Sequence, residues 1–354
     1  MWRSRIRIFS LILLLLALLS GCASTPTTSG GGGSSTGIAV GLTALAKQDG
    51  FDPSVNAPLP SHRIIAAYGI ACAPPSLDYS QCGDQTVSFV DPSGQASTPD
   101  WLKLYLPTLQ NLAQQYQTLD PTHPTIMAVD LVVNVIKYCS DPVANQWCTA
   151  WIDDSAIQPY IQFCQQHNML LFLDLQLGTE PVSDAVTKYV QKYLTKYPFV
   201  ELALDTEFHF PNTPQGHADA AGYPCCLGWM DASEVNWAID DLAKIEYQYH
   251  LPRKVLIVHQ WNTAVLPDKD SIERNPNVSV VLQSDGFGFT SNKLGDYWAF
   301  EQNDMIGYGG YKLFYTYPSG SDCNPGPLQT CDQPLQSPAD ILSIFPQPLF
   351  ISYQ

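Results

Sequence analysis

Basic residues are scarce in this chain. Its 354 residues include 17 Lys and Arg against 33 Asp and Glu, a formal net charge of −16. A surface of that sign repels nucleic acid and anionic lipid, so no nucleic-acid partner is expected. Charge of either sign is thin, at 14%, while Pro reaches 28. That combination points to long, ordered, uncharged loops. The Gly-x-Ser-x-Gly match Gly33-Ser34-Ser35-Thr36-Gly37 lies in a Gly/Ser-rich stretch and not between a strand and a helix, so Ser–His–Asp catalysis of the α/β-hydrolase kind has no support. No Cys-x-x-Cys occurs, and no His stands at zinc-finger spacing, which argues against a tetrahedral structural zinc. Nor does a Gly-rich phosphate loop follow the first apolar strand, which counts against a doubly wound nucleotide-binding sheet. Beyond the N-terminus, no apolar run approaches the roughly 18 residues that a membrane span needs.

What is present begins with a leader. Arg3, Arg5 and Arg7 precede the apolar run Leu11–Leu19, which is short for a transmembrane helix. The run ends in Leu19-Ser20-Gly21-Cys22, which resembles the lipobox of bacterial lipoproteins. The resemblance implies a signal peptide over 1–21, lipidation of Cys22, and export to the outer face of a bacterial membrane, with the chain held there by its acyl chains. Loss of the three leader Arg would make the chain more acidic still. Residues 22–58 are a tether and lead-in, and Ala23–Thr36 is almost wholly Ser, Thr, Gly and Pro, too poor in apolar groups to fold.

Residues 59–354 read as one domain. Short apolar runs at Arg63–Gly69, Ile126–Val133, Met169–Leu177, Phe199–Phe208, Lys254–Trp261, Val278–Gly286, Tyr311–Tyr317 and Leu349–Tyr353 are candidate strands. Their nearly continuous apolar character suits strands covered on both faces, as in a parallel sheet. Helical spacing lies between them at Trp101–Leu119, Ser155–His167, Val182–Leu194, Val235–Ile245 and Ala339–Phe345, and is weak after the fifth and sixth strands. Eight strands alternating with helices predict an α/β fold, a (β/α)8 TIM barrel, with a doubly wound open sheet as the alternative. The connections following strands are long, at Ile70–Asp100, Asn134–Asp154, Pro211–Met230 and Pro318–Ser337, as on the active face of a barrel.

Ten Cys suit an oxidising compartment. Cys72 with Cys82, Cys139 with Cys148, and Cys323 with Cys331 are close pairs in three of the long loops, and are expected to staple the rim. Cys225 and Cys226 are adjacent and their pairing stays open. Cys164, inside a helical pattern, is expected to be a buried free thiol.

Period-two alternation sends a set of polar side chains inward near the strand ends: Asp130, Asp174 with Gln176, Asp205 with Glu207 and His209, His259, and Gln283 with Asp285. Tyr68 ends the first strand. Groups of this kind are costly inside a barrel unless paired or functional. Asp205 and Glu207, two apart, share a face if the strand runs through them, and two such close carboxyls cannot ionise independently. One would then be held protonated, as a general acid must be. Trp261, Tyr315, Tyr317, Trp229 and Phe287 fall near the same rim, where aromatic rings stack on sugars.

The stretch Phe199–Phe208 resembles the fourth strand of glycoside hydrolase barrels of family 18, the chitinases and endo-N-acetylglucosaminidases, which ends in Asp-x-Glu. Family 25 lysozymes carry an Asp-x-Glu on a barrel strand as well. The resemblance implies Glu207 as acid/base and Asp205 as the residue that orients a substrate acetamide. The two earlier Asp positions of the family 18 pattern are Val200 and Ala203 here. Much of 60–354 is also similar to bacterial lipoproteins whose barrel closes on a Ser-Tyr-Gln-like terminus (Ser352-Tyr353-Gln354), a likeness that implies no activity.

The reading is a lipid-anchored, monomeric glycoside hydrolase acting on carbohydrate or cell-wall glycan, with no cofactor and no metal. Glu207, Asp205 and Asp285 are its candidate catalytic residues. Tyr68, Asp130, Asp174, Gln176, His209, His259, Trp261, Gln283 and Tyr315 are its candidate substrate contacts. Two alternatives stand beside it. One is a carbohydrate-binding surface lipoprotein without catalysis, which the missing Asp residues favour. The other is a metal-dependent hydrolase using His209 and His259 with Asp130 or Asp174. The anchor is directly testable. Cys22→Ser should release the protein from the membrane fraction or block its maturation, and a variant that fractionates with membranes as the parent does refutes lipidation.

Overall fold

Leu170–Leu175 reads Leu-Leu-Phe-Leu-Asp-Leu and has no polar side to offer water. All six positions are buried, as are all positions of Val200–Asp205, Lys254–Gln260 and Val278–Ser284. Strands covered on both faces need a layer inside and a layer outside, and a barrel wrapped in helices supplies both. The structure is a computed structural model that describes residues 52, 56–70, 100–138, 147–211, 228–301, 307–314 and 332–354.

The strands are β1 (Arg63–Ile70), β2 (Thr125–Tyr138), β3 (Trp147–Trp151), β4 (Leu170–Leu175), β5 (Val200–Asp205), β6 (Lys254–Gln260), β7 (Val278–Ser284), β8 (Tyr308–Leu313) and β9 (Phe350–Tyr353). Eight of them are parallel neighbours in the order β1-β9-β8-β7-β6-β5-β4-β2, and β2 pairs with β1 to close the ring. Around it lie α1 (Asp100–Leu119), α2 (Asp154–His167), α3, α4 (Ala232–Tyr249), α5 (Thr290–Glu301) and the short α6 (Pro338–Leu342). Helix α3 runs through Val182–Ala185, Val186–Val190 and Gln191–Lys196, the middle segment being a π-turn. The (β/α)8 barrel expected from the sequence is what forms. No helix among the described residues is long and apolar enough to cross a membrane.

Three local expectations need correction. The segment from Asn134, read as loop, instead continues β2 and folds back through the antiparallel β3, pairing Asn134 with Trp151 and Tyr138 with Trp147. A register shift between Val132 and Asn134 marks where β2 leaves the barrel. Strand β8 starts at Tyr308 and ends at Leu313, not at Tyr317. Its Gly-Gly pair reads as a break, yet it is there for closeness: a Cβ on Gly310 would lie 2.8 Å from Val281 Cγ1 and 3.0 Å from Gln283 Cα. Strand β5 stops at Asp205, and Thr206–Phe208 is a 3-10 turn. After β6, where the helical pattern is weak, the chain makes only the 3-10 turns Thr263–Val265 and Lys269–Ser271 before β7.

The two ends of the barrel differ. At the strand starts, polar groups are consumed by structure. Arg63 reaches Asp120 at 3.0 Å and the Pro348 carbonyl at 3.2 Å. Lys254 donates to the Val200 carbonyl at 2.7 Å, and Glu201 accepts from the Val255 N–H at 2.8 Å. Midway up, Phe172 and Phe350 meet edge to face at 5.3 Å between ring centres, both fully buried. Outside, the Tyr116 hydroxyl of α1 bonds that of Tyr353 at 2.7 Å, fastening the closing strand to a helix.

Cys164 is a buried free thiol of α2, and burial pushes it well above the ordinary thiol range. Cys72, Cys82, Cys139, Cys225, Cys226, Cys323 and Cys331 lie outside the described residues, as do the leader and most of the tether, and the Cys148 side chain is likewise not described. The Phe172–Phe350 contact gives a stability prediction. Phe172→Ala removes a ring from a filled lumen and should cost about 3–5 kcal/mol in urea unfolding. A loss below about 1 kcal/mol would mean that this layer is not tightly packed.

Candidate active site

Strand alternation brings one polar side chain after another to the open end. Tyr68 and Asp130 are register partners on β1 and β2. Asp205, His259 and Gln283 are successive partners on β5, β6 and β7. Asp174 and Lys312 are the penultimate residues of β4 and β8. All are at most 3% exposed. Five carboxyls (Asp130, Asp174, Asp205, Glu207 and Asp285) thus share one buried space with a lysine and a histidine.

Asp285, just beyond β7, is held from two sides. Its Oδ2 is 2.6 Å from His259 Nδ1, and its Oδ1 is 2.8 Å from Lys312 Nζ. Burial acts to raise its pKa, but Lys312 and His259 outweigh that and hold it below the usual carboxylate range. Lys312 also sits over the Tyr68 ring, 3.4 Å from its centre, in cation–π contact. Burial pulls His259 down, but Asp174 and Asp285 dominate and lift it to about 10. His259 Nε2 faces Asp130 Oδ2 at 3.8 Å and Asp174 Oδ2 at 3.9 Å. These separations exceed hydrogen-bond reach.

Asp205 and Glu207 do come together, by a different route from the one the sequence implied. Asp205 is the last residue of β5, and Glu207 enters through the 3-10 turn, not through strand alternation. The turn is backed by the main chain at Gly228, whose N–H donates to the Glu207 carbonyl at 2.6 Å. A Cβ there would fall 2.1 Å from the His209 carbonyl oxygen, so only glycine permits the approach. Burial first, then Asp205, pushes the Glu207 carboxyl well above its ordinary value. Burial and Asp174 do the same to Asp205. Glu207 is 7% exposed, the most open of the five, and its Oε2 has no hydrogen-bond partner among the described residues.

The other candidates divide. The Gln176 amide donates to Asp205 at 3.3 Å, while its main chain is clamped by Asn134 through two 2.9 Å bonds. Gln283 donates to Ser352 at 2.5 Å across two strands. His209 does not join the cluster: its ring spans from the Gly178 carbonyl (3.1 Å) to Glu234 on α4 (2.8 Å), because the chain has left the strand before reaching it. Trp261 packs edge-on against Phe287 at 4.8 Å, which meets Phe314 at 5.5 Å, and both Trp261 and Phe287 keep partial exposure at the rim. Trp229 is partly exposed and its N–H donates to the His209 carbonyl at 2.8 Å. Tyr315 and Tyr317 lie outside the described residues.

Lys312 and Asn134 also help build this cluster, and the sequence reading missed both. A lysine between Tyr311 and Leu313, inside an apolar strand, was the available signal for the first. Nothing local marks Asn134, which matters only because β2 bulges there.

No family model matches the chain, and no curated protein does. Among solved structures, it is similar to an endo-beta-N-acetylglucosaminidase from Cordyceps militaris in apo form, at 10% identity and a TM-score of 0.34, over 91% of this chain and 87% of that one. The barrel assignment rests on strand order and register.

Because folded Glu207 keeps a proton that the unfolded chain releases above about pH 4.3, rising pH favours unfolding through this group. Glu207→Gln removes that penalty. Its stability relative to the parent should grow with pH above about 4.3, by up to about 1.4 kcal/mol per unit, in denaturation series at several pH values. A difference independent of pH would show Glu207 ionised in the fold.

Proposed function

We propose that this barrel hydrolyses a glycosidic bond, with Glu207 as the acid that protonates the leaving oxygen. The observation carrying this is Glu207 itself: a carboxyl held protonated by burial, beside Asp205, with an oxygen that nothing in the described protein engages. A group kept neutral near physiological pH and left unspent is what general acid catalysis requires.

The second carboxylate differs from the initial expectation. Asp285 has both oxygens committed, to His259 and to Lys312. A nucleophile would need a free one. Asp205 is the better partner for Glu207. If the sugar carries an acetamide, Asp205 would orient it, as the family 18 resemblance implies, and the acetamide rather than Asp285 would attack the anomeric carbon. Val200 and Ala203, fully buried in place of the earlier Asp residues, leave Asp174 and Gln176 to support Asp205 from the neighbouring strand. Trp261 and Phe287 offer ring faces at the rim for a sugar. The lipobox-like sequence would tether the barrel through Cys22 outside the membrane, where cell-wall or other glycan is at hand.

The test is turnover on chitooligosaccharides, peptidoglycan fragments and aryl N-acetylglucosaminides. Glu207→Gln keeps the shape and removes the proton, so kcat should fall about 10²–10⁴-fold with sugar binding retained. If the parent protein binds these glycans and cleaves none, the protein is a carbohydrate-binding module on a barrel scaffold, and the catalytic assignment fails.

A further inference from the structure

The acid cluster carries more negative charge than its cations answer. Lys312 and Asp285 form one pair, and His259 leans on the same Asp285. That leaves Asp130, Asp174, Asp205 and Glu207 without a dedicated cation inside a space where bare charge is expensive. Glu207 and Asp205 solve this by holding protons. Asp130 and Asp174 in addition have His259 aimed between them.

The His259 ring makes its orientation explicit. Nδ1 is 2.6 Å from Asp285 Oδ2, so Nδ1 carries the hydrogen and donates it. Nε2 then faces Asp130 and Asp174 at 3.8 and 3.9 Å, and it has no hydrogen-bond partner among the described residues. Neither oxygen of Asp130 has one either, although the residue is fully buried. Protons settle the charge but not the geometry. An Nε2–H directed at acceptors 3.8 Å away makes no hydrogen bond, and leaving a buried polar atom without a partner is unfavourable.

We propose that Asp130, Asp174 and His259 bind a divalent metal ion. One ligand atom from each falls within 4.8 Å of the others. Metal bonds of about 2.0–2.2 Å from N and O ligands put two ligands of one ion roughly 3–4 Å apart, in the range observed. The remaining parts are those of a metal-bound histidine. Its far nitrogen donates to a carboxylate, Asp285, which fixes the tautomer, and that carboxylate is itself fixed by Lys312. One imidazole with two carboxylates selects a borderline ion such as Zn²⁺ or Mn²⁺ over Ca²⁺ or Mg²⁺, which prefer oxygen alone. Three protein ligands leave room for an oxygen of substrate or water, the arrangement of catalytic rather than structural sites. His209, weighed as a ligand on sequence grounds, is spent on Gly178 and Glu234 and takes no part.

The experiment is metal binding by the full barrel after chelation and dialysis. Calorimetric titration with Zn²⁺ and with Mn²⁺ should show one site per chain, and Co²⁺ should give d–d absorption with nitrogen ligation. Asp130→Asn and His259→Gln should weaken binding by 100-fold or more, and Asp285→Asn by about 10–100-fold, through loss of its hold on the His259 ring. Glu207→Gln should bind metal as the parent does while losing glycan turnover, which separates this proposal from the glycosidase reading. No binding at millimolar Zn²⁺ or Mn²⁺ overturns the proposal. So does binding that survives both ligand substitutions. Should those variants fail to fold, the Co²⁺ spectrum of the parent decides: absence of a nitrogen ligand is equally fatal.

Discussion

Asp285 accepts from His259 on one oxygen and meets Lys312 on the other, and the arrangement of the open end depends on that double hold. It sets which His259 nitrogen donates to Asp285 and which faces Asp130 and Asp174. It fixes Lys312 over the Tyr68 ring and so ties β1, β6, β7 and β8 across the lumen. It also removes Asp285 from the pool of available nucleophiles. What remains is an asymmetric space. On one side lie Asp130 and Asp174, facing an imidazole nitrogen. On the other lie Asp205 and Glu207, held neutral by burial and by a neighbouring carboxyl, Asp174 for the first and Asp205 for the second. A single ring of strand ends thereby carries one region suited to cation binding and one suited to proton donation.

The opposite end shows that buried charge in a barrel need not mean chemistry. Lys254, Glu201 and Arg63 are as buried as the acid cluster, but each is engaged by carbonyls, an N–H or an opposed carboxylate, with the Arg63 Nη1 left without a hydrogen bond. The difference between the ends is therefore not polarity but completeness. Structural polar groups find partners in the fold, whereas the groups at the strand ends are left short of them. The cost of that shortage is borne by the rest of the barrel, through layers such as Phe172 against Phe350 and through the Tyr116–Tyr353 bond.

Much of this was readable from the chain. Continuous apolar runs located all eight barrel strands, and the alternation along them pointed Asp130, Asp174, His259 and Gln283 into one space. Three things resisted. Asp205-x-Glu207 was correct as a pair but for the wrong reason, since period-two reasoning cannot see a strand end where a 3-10 turn begins. His209 was lost to the same turn, which points it at α4. Lys312 lay inside the expected strand but was not weighed as inward-facing, and Gly309 and Gly310 were left outside that strand. Their meaning is contact distance to Tyr297, Val281 and Gln283, which only the packed neighbours reveal. The hairpin of β2 and β3 likewise depends on a bulge that no local pattern announces.

Closure of the ring joins β1 to β9, partners that come from opposite ends of the barrel sequence, as with the Arg63–Pro348 contact 285 residues apart. Until that seam forms, β1 and β9 each present an unpaired parallel edge, with backbone groups open to any other chain. Contacts so distant carry a large loop-closure cost before they repay it, so the seam should be the slow step of folding. An open half-barrel would then be the species most exposed to aggregation. The Tyr116–Tyr353 bond, joining the closing strand to the first helix, is positioned to latch that seam from outside.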